Sequence, residues 1–295
     1  MENTPGTQKI TCVVIIHYDN TLDYQLENTI NFWAANPYCD HVAVLDNAVT
    51  GTALDFSNRR MIYVRPEHPL GFAHLVNHLL SLQELEGVDV LLFTQSDLIW
   101  EKGQEDFLLK LLPSQEKEIT CPILFYPDGR VYAMGGHLDA SATLQYTLQN
   151  RTIQNFSLQD QEVEWAPSPC FCLSLSLFKE LEGFSGSLQG EYALVDFAYR
   201  TRRAGGRVAL RSQVSATLLE NLVELISSKK SLVGERMSFL DSSLSADYIQ
   251  RPKPTRNCST ILCFLDFSKG TISHTETFSF LRVLDRICGQ LSEEV

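Results

Sequence analysis

The sequence has no excess of basic residues. Of its 295 residues, 24 are Lys or Arg and 36 are Asp or Glu, which gives a formal net charge of −12. Broad binding to nucleic acid or to an anionic membrane surface depends on clustered positive charge. The composition therefore argues against a nucleic-acid partner, and an anionic substrate would need local cations or a metal ion.

Long apolar runs and regular cysteine spacings are also missing. The first segment, MENTPGTQK, contains an acidic residue and no apolar core, and no later apolar run approaches the length of a bilayer span. Most of the eight cysteines are far apart in sequence. The close pairs are Cys170-x-Cys172 and Cys258-x4-Cys263, and neither has zinc-ribbon spacing. We expect no signal peptide, no transmembrane helix and free thiols, which favours a cytoplasmic location.

The sequence does contain an alternation of short β-branched runs with amphipathic stretches. The runs Lys9–His17, His41–Leu45 and Val88–Phe93 predict buried strands, and Leu22–Ala35 and Leu70–Leu82 predict helices between them. Such alternation is typical of βαβ units. The predicted fold class is therefore α/β, with a mainly parallel central sheet flanked by helices.

Later segments predict a more mixed sheet and then a change of composition. The turn Pro127–Gly129 indicates a hairpin, and Arg207–Leu210 predicts a last short strand. From about Val214 the sequence favours helix. We therefore predict a core domain over residues 1–212 and an accessory, mostly helical C-terminal extension over residues 213–295.

Polar residues stand where several of the expected strands end. In VLLFTQSDLIW (Val90–Trp100) the apolar run stops at Gln95-Ser96-Asp97 and then resumes. Open α/β sheets bind ligands at the carboxyl ends of parallel strands, so Asp97 is a candidate site residue. The alternative is an aspartate that caps the next turn. Other polar or glycine-bearing segments are expected to lie at the same edge, namely His17–Asn20, Asp46-Asn47, Arg65–Phe72 and Gly190–Arg200.

Four segments carry a family pattern in the expected order and spacing. They are IIHYDN (Ile15–Asn20), VLDNAVTGT (Val44–Thr52), HPLGFAHLVN (His68–Asn77) and Gln95-Ser96-Asp97. Over residues 9–211 the chain resembles the inverting family-2 glycosyltransferases of GT-A fold, especially the rhamnosyltransferase-like branch. The resemblance implies transfer of a sugar from a nucleotide-diphosphate donor, a dTDP- or UDP-sugar, to a glycan or lipid-linked acceptor in polysaccharide biosynthesis.

The resemblance also implies a role for individual residues. Asp97 would hold a divalent metal, Mg²⁺ or Mn²⁺, which stabilises the charge that develops on the leaving diphosphate. Asp46 would accept a hydrogen bond from the nucleobase, although a strand-ending turn also explains it. The remaining residues expected to line the nucleotide are His17, Tyr18, Arg65, Gly71, Asn77, Gln95 and Ser96.

The position of the catalytic base departs from the family pattern. An inverting transfer needs a base that takes the acceptor proton. When the family pattern is aligned on Arg200, Leu194 stands where the family has its catalytic carboxylate, and leucine cannot accept a proton. Glu191, about one helical turn earlier, is the candidate base. Asp196 keeps the family pattern, but its i,i+4 spacing from Arg200 also fits a surface ion pair on a helix.

A second departure leaves the functional class open. The histidine that often completes the family's metal site has no counterpart in Arg211–Thr217. Either a divergent enzyme or a module that binds a sugar nucleotide or glycan without turnover fits the sequence. A nucleotidyltransferase is disfavoured, because no glycine-rich loop with lysine follows the first strand. A homodimer and peripheral contact with the inner face of a membrane are further options.

Two pairs of residues raise the question of a different metal site. His74 and His78 lie one helical turn apart, as zinc ligands often do, but no third ligand is evident and a histidine pair on the helix surface is the alternative. Cys170-x-Cys172 lies in an apolar segment, which favours buried thiols over metal ligands.

Overall fold

The computed structural model describes residues 9–16, 23–47, 61–68, 70–81, 85–100, 106–139, 143–153, 158–188 and 190–219. The predictions for His17 and Tyr18, and for the helical extension beyond residue 219, lie outside the described residues.

Twelve strands and five α-helices are found in these ranges. The strands are β1 (Ile10–Ile16), β2 (His41–Asp46), β3 (Met61–Val64), β4 (Val90–Gln95), β5 (Leu98–Ile99), β6 (Glu118–Phe125), β7 (Val131–Ala133), β8 (Gly136–Leu138), β9 (Leu144–Tyr146), β10 (Gln161–Glu162), β11 (Cys170–Ser174) and β12 (Arg207–Leu218). The helices are α1 (Asp23–Ala34), α2 (Phe72–His78), α3 (Phe107–Leu111), α4 (Leu175–Glu180) and α5 (Gly190–Arg203).

The main sheet has the order β10-β12-β6-β11-β4-β1-β2-β3, with β5 beside β12 and β7 beside β6. Six of its strands, β3, β2, β1, β4, β6 and β12, run in one direction. Strand β11 lies antiparallel between β4 and β6. The predicted mainly parallel sheet is confirmed, and β6 and β7 form the predicted hairpin.

Both faces of this sheet are covered, which explains the nearly continuous apolar character of its central strands. In β4, Leu91 and Phe93 pack on the face that α2 and α5 cover, whereas Val90 and Leu92 pack on the face that α1 and α3 cover. This alternation follows from the two-residue period of a strand. Phe93 also stacks on Phe171 of β11, with ring centroids 4.6 Å apart.

Strand β12 is longer than the sequence predicted. It runs to Leu218 instead of ending at Leu210, and it pairs with β6 on both sides of an irregularity between Arg211 and Ser215. Val214, Ala216 and Leu218 are buried and alternate with less buried residues, so pairing and packing override the helical tendency from Val214 onward. The core sheet therefore continues past residue 212.

None of the helices described here combines the length and apolar character that crossing a bilayer requires.

Candidate functional site at the carboxyl edge of the sheet

Six strands end at one edge of the sheet, and the reversed β11 begins there. Gln95 ends β4, and its backbone N–H donates a 3.0 Å hydrogen bond to the carbonyl of Pro169, just before β11. Thr94 of β4 is in register with Cys170, the first residue of β11. This pairing brings the segment before β11 alongside the Gln95-Ser96-Asp97 segment.

Asp46 is a buried carboxylate at the end of β2, with 2% of its surface exposed. Its Oδ2 accepts hydrogen bonds from the Tyr63 hydroxyl at 2.5 Å and from Nη1 of Arg65 at 3.2 Å. The Arg65 side chain, which follows β3, stays 21% exposed. The structure thus brings together two of the residues predicted to bind nucleotide, Asp46 and Arg65, as an ion pair.

Asn47 connects the end of β2 to the segment before α2. Its side-chain amide donates to the Leu70 carbonyl at 2.8 Å, and its Oδ1 accepts from the Leu70 N–H at 2.9 Å. Asn47 is only 5% exposed, so these two bonds replace lost contacts with water. The two bonds hold Leu70, and with it Gly71 just before the first residue of α2, next to the residue that follows Asp46. No sequence signal pointed to this role of Asn47.

Asn77 makes a similar pair of bonds in a different place. Its side-chain amide donates to the Phe184 carbonyl at 2.6 Å, and its Oδ1 accepts from the Phe184 N–H at 2.7 Å. These contacts join α2 to the connection between α4 and α5. Asn77 was predicted to line the nucleotide, whereas the described contacts of its side chain are with Phe184.

Asp196 and Arg200 secure the same connection from α5. Nε of Arg200 lies 2.8 Å from Oδ2 of Asp196. The two Nη atoms of Arg200 donate to the carbonyls of Leu181 and Gly183 at 2.6 and 2.8 Å. Asp196 is 3% exposed, and burial raises the pKa of its carboxyl although the charge of Arg200 opposes the shift. The structure shows the predicted i,i+4 ion pair, in a buried position and not on the surface.

Glu191 lies in the first turn of α5, near the amino end of β11. Its Oε1 accepts hydrogen bonds from the Tyr146 hydroxyl and from Oγ of Ser168, both at 2.6 Å, and its Oε2 accepts from the Ser168 N–H at 3.2 Å. A carboxylate in the first turn of a helix also interacts favourably with the helix dipole. Leu194, which the sequence resemblance places at the position of a catalytic base, is 2% exposed and belongs to the core.

Tyr146 and Ser168 were not identified from the sequence. Burial raises the pKa of the Tyr146 phenol well above its usual value, and the negative charge of Glu191 adds to the shift. Tyr146 therefore stays protonated at neutral pH and donates to Glu191. No motif marks either residue, because Tyr146 and Ser168 lie 45 and 23 positions from Glu191 in sequence.

Asp97 lies in the turn between β4 and β5. The turn is held from two sides, because Oγ1 of Thr29 donates to the Ser96 carbonyl and the Leu219 N–H donates to the Asp97 carbonyl, each at 3.0 Å. The Oδ1 atom of Asp97 is buried. The sequence predicted a carboxylate at the sheet edge here, and the structure places it there.

A metal at this edge would take few ligands from the protein. Within the part of the chain that the structure describes, no group of three or more His, Cys, Asp or Glu side chains is arranged to hold a metal ion. A single carboxylate fits Mg²⁺ or Mn²⁺ that binds mainly to substrate phosphates and water. The same finding gives no support to zinc at His74 and His78.

The cysteine pair is part of the core. Cys170 and Cys172 lie on the same face of β11, and both are fully buried. Burial raises the pKa of each thiol above its usual value. Protonated, buried thiols are poor metal ligands, so the prediction of buried free thiols is confirmed for this pair.

A concave region lies at the opposite edge of the sheet. It is an open groove of about 930 Å³, lined at the amino end of β4 and the carboxyl end of β11 by residues that include Asp89, Ser114 and Lys179. None of the predicted site residues lines this groove. The carboxyl edge, with its buried and oriented carboxylates, is therefore the candidate functional site.

No family model matches the sequence, and no curated protein matches it significantly. Among solved structures, the chain is similar to GalNAc-T7 in complex with UDP, GalNAc and Mn²⁺, with a TM-score of 0.57 and 16% identity over 72% of this chain. The match spans 43% of the GalNAc-T7 chain. The chain is also similar to glucosyl-3-phosphoglycerate synthase from Mycobacterium tuberculosis in complex with Mn²⁺, UDP and glucosyl-3-phosphoglycerate, with a TM-score of 0.46 and 15% identity. This match covers 78% of this chain and 80% of the synthase chain.

At this level of identity the likeness to GalNAc-T7 concerns the fold. Together with the strand order and the reversed β11, it defines the architecture as a GT-A fold, the fold of nucleotide-diphospho-sugar transferases.

Proposed function

We propose that this chain is a glycosyltransferase that moves a sugar from a nucleotide-diphosphate donor to an acceptor hydroxyl with inversion. The observation that carries the proposal is the position of three carboxylates, Asp46, Asp97 and Glu191, along the carboxyl edge of a GT-A sheet. Each is held by different contacts, so each suits a different task.

The donor side of the proposed site is formed by β2, β3 and the start of α2. The Tyr63 and Arg65 contacts fix the orientation of Asp46, which suits a group that recognises the edge of a nucleobase. Asn47 fixes Leu70, and the next residue, Gly71, has no side chain, which suits the close approach of a nucleoside. The GalNAc-T7 structure contains UDP and Mn²⁺, which makes UDP the first nucleotide to test.

Asp97 is the residue that would hold a divalent cation, Mg²⁺ or Mn²⁺. Such an ion, when bound with the donor, supplies positive charge that stabilises the leaving diphosphate. The contribution of the chain is the fixed turn that contains Ser96 and Asp97, supported by α1 and by the end of β12. A preset position reduces the reorganisation needed during the reaction.

Glu191 is the proposed general base. It takes the proton of the acceptor hydroxyl as the hydroxyl oxygen bonds to the anomeric carbon and the bond from that carbon to the diphosphate breaks. Ser168 and Tyr146 hold the carboxylate in one orientation. We assign Asp196 a positioning role, because Asp196 contacts Arg200, which fixes the connection leading to α5. Asn77 supports the same connection.

Finer assignments from the sequence also form part of what we propose. They are membership of the inverting family-2 group and its rhamnosyltransferase-like branch, a dTDP- or UDP-sugar as donor, a cytoplasmic location with peripheral membrane contact, and a homodimer. Residues 220–295 would form the accessory region.

The second candidate is a module that binds a sugar nucleotide or glycan without turnover. The observation that favours it is Leu194, which is part of the core and cannot act as a base. The two candidates share donor binding and differ in turnover. Loss of turnover in Glu191→Gln with donor binding intact would rule out this second candidate.

Calorimetric titration with UDP, dTDP and GDP, with and without Mn²⁺, tests the donor site. We expect metal-dependent binding of one nucleotide, weakened at least about tenfold in Asp97→Asn because one charged ligand is lost. Asp106→Asn is the matched control, since Asp106 is 57% exposed and pairs only with Lys110 among its described contacts. Absence of binding to all three nucleotides in both conditions would overturn the proposal.

A further inference from the structure

A row of four aromatic side chains runs toward Glu191. The rings of Tyr126, Tyr132, Tyr146 and Trp165 follow one another with centroid separations of 5.3, 5.1 and 5.2 Å. Trp165 is fully buried, and the three tyrosines are each partly exposed. We call these four residues the aromatic row.

The inner part of the row contacts the proposed base. The Tyr146 hydroxyl donates to Oε1 of Glu191, and the Tyr132 hydroxyl lies 3.4 Å from the Tyr146 hydroxyl. A ligand that lies against these tyrosines would have its polar groups close to the Glu191 carboxylate. An acceptor hydroxyl must come within hydrogen-bonding distance of its base, so the row lies where an acceptor must bind.

The outer part of the row lies at the β6–β7 turn. The Arg130 guanidinium is 5.7 Å from the centre of the Tyr126 ring, and its Nε lies 2.7 Å from Oδ2 of Asp128. Gly129 completes this turn with a φ of +81°, a conformation that favours glycine. The outer end therefore combines a partly exposed ring with a cation and an anion, with little net charge.

Resting on the proposed function, we infer that the aromatic row is the acceptor subsite and that the acceptor is a saccharide. A sugar ring has apolar C–H faces and a polar rim, which matches ring faces that end in phenol hydroxyls. A lipid phosphate would need a cluster of cations, whereas the row has Arg130 already paired with Asp128. The observations thus favour a carbohydrate over a charged lipid headgroup.

Binding of the full chain to an array of immobilised glycans tests this inference. Tyr126→Ala removes the outer ring, whereas Tyr132→Phe keeps the ring and removes the hydroxyl. Tyr38→Ala is the matched control, because Tyr38 is 38% exposed and lies between α1 and β2, outside the row. We expect wild type and Tyr38→Ala to bind the same glycans, and Tyr126→Ala to bind them about tenfold more weakly because one stacking contact is lost.

Nucleotide titration on the same samples separates the two proposals. If a nucleotide binds but no glycan does, or if Tyr126→Ala binds glycans as well as Tyr38→Ala, the acceptor subsite is wrong and the donor site stands. If glycans bind through the row but no nucleotide binds, the glycosyltransferase proposal fails and the subsite belongs to a binding module. Retention of the chain on vesicles that contain a polyprenyl phosphate, without glycan binding, would overturn the saccharide assignment.

Discussion

Ser168 holds the carboxylate of Glu191 with both its hydroxyl and its backbone N–H. The hydroxyl donates to Oε1 at 2.6 Å and the N–H donates to Oε2 at 3.2 Å. The next residue, Pro169, accepts a hydrogen bond from the N–H of Gln95 at the end of β4. The proposed base and the proposed metal-binding turn are thus fixed to the same part of the sheet.

Replacing Glu191 with Gln should abolish most turnover and leave donor binding unchanged. The amide keeps the size of the side chain but cannot take up a proton, and loss of general base catalysis typically lowers rates by about 10²- to 10⁴-fold. Release of nucleoside diphosphate measures the rate, and calorimetry measures binding. Glu162→Gln, a change at an exposed residue of β10, is the control. A Glu191→Gln variant with the wild-type rate would show that Glu191 is not the base.

Asn47→Ala should destabilise the fold and weaken donor binding. The change removes two hydrogen bonds to the backbone of Leu70, and each such bond typically contributes about 0.5–1.5 kcal/mol. We expect the free energy of unfolding to fall by about 2 kcal/mol or more in urea. Asn31→Ala, at an exposed position of α1, should change it by less than about 0.5 kcal/mol. Equal stability of the two variants would contradict the role given to Asn47.

Glu118 should make the fold sensitive to acid. This fully buried carboxylate contacts Arg207 and Arg211, each at 2.7 Å, and Oγ of Ser114 at 2.9 Å. Burial alone would raise its pKa, but the hydrogen bonds from Ser114, the charge of Arg211 and the hydrogen bond from Arg207 lower the pKa below its ordinary value of 4.5. Because the folded-state pKa is lowered, the stabilisation is present above pH 4.5 and is lost as pH falls through the folded-state pKa.

The Glu118→Gln variant tests this pH dependence. It should be less stable than wild type at pH 7, by about 3 kcal/mol, because two arginines lose their shared anion. Its unfolding midpoint should also change less than that of wild type on acidification below pH 4.5. Urea midpoints measured from pH 7 to pH 3 give both quantities. Parallel curves for the two proteins would contradict the assignment of the acid sensitivity to Glu118.

Asp196 should have the opposite pH dependence. Burial raises the pKa of its carboxyl above the ordinary 3.8, so its favourable contribution is present below that value and is lost as pH rises through the folded-state pKa. The stability of Asp196→Asn relative to wild type should therefore improve between pH 4 and pH 7. Thermal unfolding of both proteins across this interval measures the difference. A relative decline with rising pH would show that Arg200 outweighs burial at this site.

The parallel half of the sheet, and the edge at which polar residues gather, could be predicted from the sequence. Buried strands such as β2 and β4 are apolar almost throughout, and the polar residues that end them, Asp46 and Gln95, mark the candidate edge by topology alone. These features are local in the chain. Segment order and residue type are enough to find them.

The hydrogen-bond partners of Asn77 and Glu191 could not be predicted, because they lie in distant segments of the chain. Asn77 bonds to Phe184 across 107 positions, and Tyr146 bonds to Glu191 across 45. The length of β12 was missed for the same reason, since its pairing with β6 decides the conformation of residues that favour helix by themselves. Such contacts leave no periodic pattern in the sequence.

The reversed strand β11 also constrains the order in which the protein can assemble. Strand β4 is hydrogen-bonded to β1 on one side and to β11 on the other, and β11 lies 80 positions later than the start of β4. Pairings between such distant segments close late in folding, since long loops must first be ordered. A chain interrupted before β11 would contain the Asp46 and Asp97 half of the crevice without its opposite wall. The wall that contains Ser168 and Glu191 would then join the proposed site only after the strands before Asp46 and Asp97 have been synthesised.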